Sequence, residues 1–292
     1  MSPQHEYVDG QFRPHFPALL ADYQRRSDAV AATPAARLDL AYGPHPRQRY
    51  DHFPPSGKAR GALLFFHAGY WQSRDKANFR FLAAPFQDFG LHFFAINYPL
   101  CPEASLAQIE QAVLPSVAAV QGELKSAGTS GLPLAVMGHS AGGQLAALLA
   151  LAGRAGPATA SKAAVDGVWG ISGVYDLEPL LDTTLNERLQ LDNEAARRAN
   201  VSRRVGPQAP PGLWMVGAAE TASFVRQNAE MHAAWSIAGN SSRCCEVAGA
   251  DHFTVLASVA PGGPGTTGVF DAWWAEVAAF ASARHQGVSA RA

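Results

Sequence analysis

Residues 132–153 read LPLAVMGHSAGGQLAALLALAG, and at their centre Gly138-His139-Ser140-Ala141-Gly142 separates an apolar run from a run of small residues. This is the sequence form of a buried strand that turns sharply into a helix with a serine at the apex, and it constrains the chain more than any other feature. Residues 132–137 read as the strand, and 144–151 as a helix whose Ala and Gly content allows close packing on a sheet. The turn needs small residues two before and two after the serine, because larger side chains would collide there. Gly138 and Gly142 occupy those places. A glycine turn of this form also arises by chance, so the strand before it and the helix after it are what make Ser140 a candidate nucleophile.

The rest of the chain is compatible with a single domain over residues 1–292. A length of 292 residues with 48% hydrophobic content suffices for a large core. The net charge of -1 and the lack of a basic run leave no electrostatic footprint for nucleic acid, so a small molecule is the expected partner, with a homodimer left open. No apolar stretch approaches the roughly 20 residues of a membrane span. The opening MSPQHEYVDGQFRPHF lacks the apolar core of a signal peptide, so the expected location is cytoplasmic. Cys101, Cys244 and Cys245 are odd in number and two are adjacent, which argues against a disulfide framework and for reduced, mostly buried thiols. No Cys or His spacing suggests zinc.

Strand and helix patterns alternate along the chain. Residues 38–42 and 47–53 read as two outer strands joined by Gly43-Pro44-His45-Pro46, and 62–66 as an inner parallel strand. Helix 76–89, strand 91–97 and a long helix 106–127 with Pro115 inside it then lead to the Ser140 strand. Beyond it come strand 165–172, strand 213–217, helix 223–238, strand 243–247 and an amphipathic helix 270–284. The pattern predicts an α/β fold built on a mostly parallel, doubly wound sheet. Residues 176–206, polar and helix-prone between two strands, read as a short helical cap inserted in the domain, and a helix over 16–30 as lying on the sheet or its mouth.

A nucleophilic serine needs a base and an acid to orient it, and in such a sheet these follow in the order Ser, Asp or Glu, His at the carboxyl ends of strands. Of ten histidines only His232, His252 and His285 follow Ser140; His232 falls in a helix and His285 in the tail, which leaves His252 in the turn after the last strand. Glu220, three residues beyond strand 213–217, is the preferred acid, with Asp176 and Asp251 as rivals. An oxyanion also needs donors. His67-Ala68-Gly69-Tyr70-Trp71 follows the inner strand, where the backbone NH groups of Gly69 and Tyr70 could join that of Ala141. His67 reads as a brace for this loop, and Trp71 and Phe79 as its packing.

Several segments together resemble the kynurenine formamidase (arylformamidase) branch of the α/β-hydrolases. They are FFHAGYWQSRDKANF, MGHSAGGQLA, SGVYDLEPL with TTLNERLQLD, VGAAETASFVRQ and AGADHFTVL, in that order and across most of the chain. The resemblance implies an α/β-hydrolase fold and a triad of Ser140, Glu220 and His252. It further implies cleavage of an aryl amide or ester through an acyl-serine, with N-formylkynurenine as the leading substrate and no metal or organic cofactor. Tyr70, Tyr175, Phe224 and Phe253 flank the motifs and are candidates for an aryl pocket. Two departures stand out: Ala68 replaces the first glycine of the branch's HGG segment, and the acid is Glu where many relatives have Asp. A hydrolase of another N-acylated aromatic amine, or a broad short-chain carboxylesterase, would use the same triad. A non-catalytic receptor is disfavoured because all three triad positions are filled, and a metal-dependent formamidase because its His and Asp clusters are missing.

Overall fold

The alternation of apolar runs and turns resolves, in a computed structural model that describes residues 1–152, 164–263 and 266–289, into one eight-stranded sheet. In chain order the strands are β1 (Arg37–Ala41), β2 (Arg49–Phe53), β3 (Gly61–Phe66), β4 (Leu91–Ile96), β5 (Leu134–His139), β6 (Gly167–Ile171), β7 (Gly212–Gly217) and β8 (Ser242–Val247). Their spatial order is β1-β2-β4-β3-β5-β6-β7-β8, with β1, β2 and β4 paired antiparallel and every other neighbour parallel. The helices are α1 (Pro3–Tyr7), α2 (Phe16–Ala31), α3 (Ala83–Phe89), α4 (Leu106–Val113), α5 (Pro115–Ser126), α6 (Ala141–Ala152), α7 (Asn186–Leu189), α8 (Asn193–Ala199), α9 (Ala222–Ile237) and α10 (Val269–Ser289).

Helices cover both faces, so β3 to β7 are buried along their whole length. Successive side chains divide between two cores, as strand geometry requires. On β3, Ala62, Leu64 and Phe66 join one core with α4, α5, α6 and α9, while Leu63 and Phe65 join the other with α3 and α10. Only the sheet edge departs from this pattern. Of the cysteines expected to be mostly buried, Cys101 is, but Cys244 is exposed and Cys245 half-buried, because β8 has a neighbour on one side only.

Two helices differ from their sequence expectation. The span 76–89 begins as a 3-10 helix, Lys76–Leu82, before becoming α3. Lys76, Phe79 and Leu82 are all buried at a spacing of three, the period at which 3-10 side chains eclipse. Asp75 caps this segment in a capping box with Asn78. Lys76 Nζ reaches Asp39 at 2.6 Å and Asp51 at 2.7 Å, tying the segment to β1 and β2. The expected long helix 106–127 is divided into α4 and α5 because Pro115, without an NH, starts a new helix better than it continues one.

The segment 176–206 is helical, with 3-10 turns at Glu178–Asp182 and Ser202–Arg204 around α7 and α8. It is closed at its base by the Val201 NH on the Tyr175 carbonyl at 3.2 Å and anchored to α6 by Gln144 on the Ala199 carbonyl. The N-terminal segment lies over the mouth of the sheet: Tyr23 of α2 stacks on Phe81 at 4.2 Å, and Tyr7 of α1 lies 5.6 Å from Phe224 of α9. No helix among the described residues is long and apolar enough to cross a membrane.

Candidate active site

The chain turns from β5 into α6 at Ser140, whose φ of 56° lies in the left-handed region that residues with a Cβ rarely adopt. The turn is held by the Ser140 NH on the Ile171 carbonyl and the Gly143 NH on the Ser140 carbonyl, both 2.9 Å. A Cβ at Gly138 would lie 1.9 Å from the Gly142 carbonyl oxygen, and one at Gly142 would lie 2.0 Å from that of Phe66. Neither gap admits a methyl group, which is the physical content of the glycine spacing.

Glu220, in the turn between β7 and α9, points one carboxylate oxygen at His252 Nδ1, 2.7 Å away. Its other oxygen accepts from the Ser172 hydroxyl at 2.5 Å and the Gly217 NH at 2.8 Å. Both members of the pair are buried. The rival acids are engaged elsewhere. Asp176 Oδ1 accepts the Glu178 NH within its own turn. Asp251 accepts the NH groups of Phe253 and Thr254 and faces His15 Nε2 at 3.0 Å. Burial works against the ionised Asp251, but the hydrogen bonds from Thr254 and Phe253 prevail and hold its carboxyl below the ordinary value.

Two polar residues of this cluster were not singled out in the sequence. Ser172, after β6, has a φ of 46° and braces Glu220. His139, directly before Ser140, is fully buried; its Nε2 lies 2.7 Å from the His252 carbonyl oxygen and its ring 4.8 Å from that of His252. Burial, reinforced by His252, drives its pKa well below the usual histidine value. It is therefore neutral, and to donate to a carbonyl its proton must sit on Nε2. The only trace of this role in the sequence is a polar residue closing an apolar strand.

The loop after β3 carries consecutive left-handed residues: Gly69 at φ 129°, Tyr70 at 49° and Trp71 at 55°. Ala68 lies outside that region, so its Cβ is accommodated; a Cβ on Gly69 would instead come within 2.2 Å of the Ser73 carbonyl oxygen. The Gly69 carbonyl accepts the NH groups of Gln72 and Ser73, both 3.0 Å, which folds the loop back on itself. Among the described residues, the NH groups of Gly69, Tyr70 and Ala141 donate to no backbone acceptor. His67 Nδ1 lies 2.7 Å from the Ala68 carbonyl, its own carbonyl accepts from Tyr98, and burial lowers its pKa to about 4. It is a neutral brace inside the loop, as its position in the sequence suggests.

Ser140, His252, Gly69 and Tyr70 open onto one cavity of about 340 Å³. Among the described residues no hydrogen bond joins the Ser140 hydroxyl to His252, whose Nδ1 is held by Glu220; such catalytic bonds often tighten only when substrate binds. Of the four aromatic candidates, Tyr70 and Phe253 line the cavity. Tyr175 and Phe224 do not. Tyr175 is turned into the core against Trp214, at 5.5 Å, and Phe224 packs behind His252, 4.6 Å between rings. Nor does the segment 176–206 supply the roof, since it contributes Leu185 alone. The roof is N-terminal: Tyr7, Phe12, Phe16 and Leu20, with the Tyr70 hydroxyl bonded to the Tyr7 carbonyl. Among the described residues, no group of three or more His, Cys, Asp or Glu is placed to hold a metal ion.

The sequence matches a family described by the α/β-hydrolase fold over residues 63–209. It is 29% identical to kynurenine formamidase of Danio rerio over 256 residues, 85% of this chain and 84% of that protein. Kynurenine formamidase of Salmo salar is 27% identical over 264 residues, 87% of this chain and 86% of that protein. Among solved structures, a protein from Silicibacter sp. TM1040 with a provisional thioesterase name superposes with a TM-score of 0.77 at 27% identity, covering 89% of this chain and 95% of that one. Esterase B of Lactobacillus rhamnosis shares the fold with a TM-score of 0.70 at 16% identity, covering 94% of this chain and 98% of that one.

Proposed function

Because this chain belongs to the α/β-hydrolase family, we propose that it is a serine-dependent arylformamidase, cleaving N-formylkynurenine or a close aryl formamide through an acyl-serine. The observation that carries the reading is the chain of contacts from Ser172 and Gly217 through Glu220 to His252, which lines the same cavity as the strained Ser140. The curated relatives that share most of the chain's length support the substrate.

In the mechanism, His252 Nε2 takes the Ser140 proton as Oγ attacks the formyl carbon. Glu220 fixes the Nδ1–H tautomer and stabilises the imidazolium. The developing oxyanion faces the NH groups of Gly69, Tyr70 and Ala141, each worth about 2.7–4 kcal/mol where such a donor is well placed. His252 then protonates the departing aniline nitrogen, and a water activated by the same base releases formate and frees Ser140. Tyr70 and Phe253 contact the aryl group.

A substrate panel tests the reading. kcat/KM for N-formylkynurenine should exceed that for p-nitrophenyl acetate, and lengthening the acyl group from formyl to acetyl to propionyl should lower it. Activity that rises along the acyl series, or is confined to esters, would replace the formamidase reading with that of an N-acyl-arylamine amidase or a short-chain carboxylesterase.

A further inference from the structure

Among the described residues lining the cavity, Arg74 carries the one permanent charge, in a wall otherwise made largely of Tyr, Phe, Leu and Val. Its position is set by its neighbours. The backbone at Arg74 is left-handed, with φ 73°, and its carbonyl accepts from Arg47 at 2.9 Å. The stem passes the oxyanion loop, with Cγ 3.0 Å from where a Cβ on Gly69 would stand. The guanidinium lies 5.8 Å from the centre of the Phe253 ring, beside His252. Arg74 thus spans the rim between the loop that faces the acyl oxygen and the turn that bears the base.

The adjacent carboxylate does not neutralise it. Asp75 is occupied by Arg47 at 3.2 Å, by Asn97 and by the Ala77 NH. Among the described residues Arg74 forms no ion pair, and the cavity wall holds no Asp or Glu to pair with it. A planar guanidinium with five donors, exposed at the rim of an apolar cavity and lacking an acid partner, matches a carboxylate that arrives with the ligand.

We propose that Arg74 is a specificity-determining residue that pairs with a carboxylate on the non-acyl part of the substrate, so that the site prefers acylated aryl amines carrying an acid group over neutral ones. The inference rests on the Ser140–His252 reading of the site and narrows its substrate class. Arg74 takes no part in bond making; it fixes which end of the substrate faces the rim.

The test compares N-formylkynurenine with its carboxamide, which differ only in the acid group, in the wild type, Arg74→Gln and Arg74→Lys. The acid should be favoured by about tenfold or more in kcat/KM, through KM rather than kcat, and added salt should weaken the advantage. In Arg74→Gln the ratio should collapse to within about twofold of unity, whatever happens to the common rate; Arg74→Lys should keep part of it, and equal melting temperatures would show that both variants fold. A wild-type ratio near unity, or a ratio unchanged in Arg74→Gln, overturns the proposal. Calorimetric binding of kynurenine against its carboxamide separates the two claims. If neither formamide is cleaved but the acid still binds more tightly and loses that advantage in Arg74→Gln, the formamidase reading fails and the Arg74 proposal stands. Equal binding of acid and amide by the wild type sinks the Arg74 proposal alone.

Discussion

His139 Nε2 lies 2.7 Å from the carbonyl oxygen of His252, so the residue that precedes the candidate nucleophile also holds the turn that carries the candidate base. The elbow and the histidine turn come from strands far apart in sequence, and this bond fixes their spacing from within the core. Replacing His139 by Phe leaves a buried carbonyl without its donor, which costs about 1–3 kcal/mol and lets the His252 turn drift. We expect a lower melting temperature and about a tenfold loss of kcat. His139→Gln, which can place an amide NH near the same point, should recover most of both. Equal activity for wild type and His139→Phe would show that the contact does not position His252.

The acid assignment makes a graded prediction. Glu220→Gln keeps the shape but removes the charge opposite His252 Nδ1, and should lower kcat by as much as about 10⁴-fold with little change in stability. Ser172→Ala removes one of the hydrogen bonds to Glu220, worth about 1 kcal/mol, and should cost kcat only about fivefold. Asp176→Asn, whose carboxylate accepts the Glu178 NH within its own turn, should stay within about twofold of the wild type. Steady-state kinetics of the three variants checks the order; a larger loss for Asp176→Asn than for Glu220→Gln would move the acid to the turn after β6.

The loop after β3 separates a tolerated methyl group from a forbidden one. Gly69→Ala places a Cβ 2.2 Å from the Ser73 carbonyl oxygen at a φ of 129°, so the loop must shift and its NH donors with it. A loss of about 10²–10³ in kcat follows if one donor is displaced. Ala68→Gly changes no left-handed position and should leave kcat within about twofold, while lowering stability by about 0.4–1 kcal/mol through the freer unfolded chain. Thermal melts and kcat for the two variants check this; a larger loss in Ala68→Gly than in Gly69→Ala would mean that the oxyanion donors lie elsewhere.

How much of this was legible in the sequence depends on whether the signal was local. Each strand of the sheet was found within about two residues, since a run such as Ala62 to Phe66 is apolar at every position and bounded by turn residues. The cluster of Ser140, Glu220 and His252 followed from chain order, because parallel strands bring their carboxyl ends together. The 3-10 helix over Lys76–Leu82 was missed although Lys76, Phe79 and Leu82 carry its period of three, which a short segment scarcely separates from 3.6. Which aromatics face the cavity was not legible. Tyr175 turns into the space left by Gly170 and Gly173, where a Cβ would meet its side chain at 2.0 and 2.2 Å. That fit depends on contacts between segments, not on the flanking motif. The N-terminal roof was anticipated only as a helix near the mouth; its seat depends on partners as distant as Thr221 and Gln227, which bond Gln11 and Tyr7.

If the chemistry is covalent, Ser140 is the nucleophile and the site is single. Incubating the protein with a small excess of paraoxon, then measuring intact mass, residual activity and the peptide that carries the label, tests it most directly. We expect one phosphoryl adduct per chain, located on Ser140, with activity lost in proportion to labelling and no adduct on Ser140→Ala. Label on another serine, or turnover undiminished in Ser140→Ala, would contradict it.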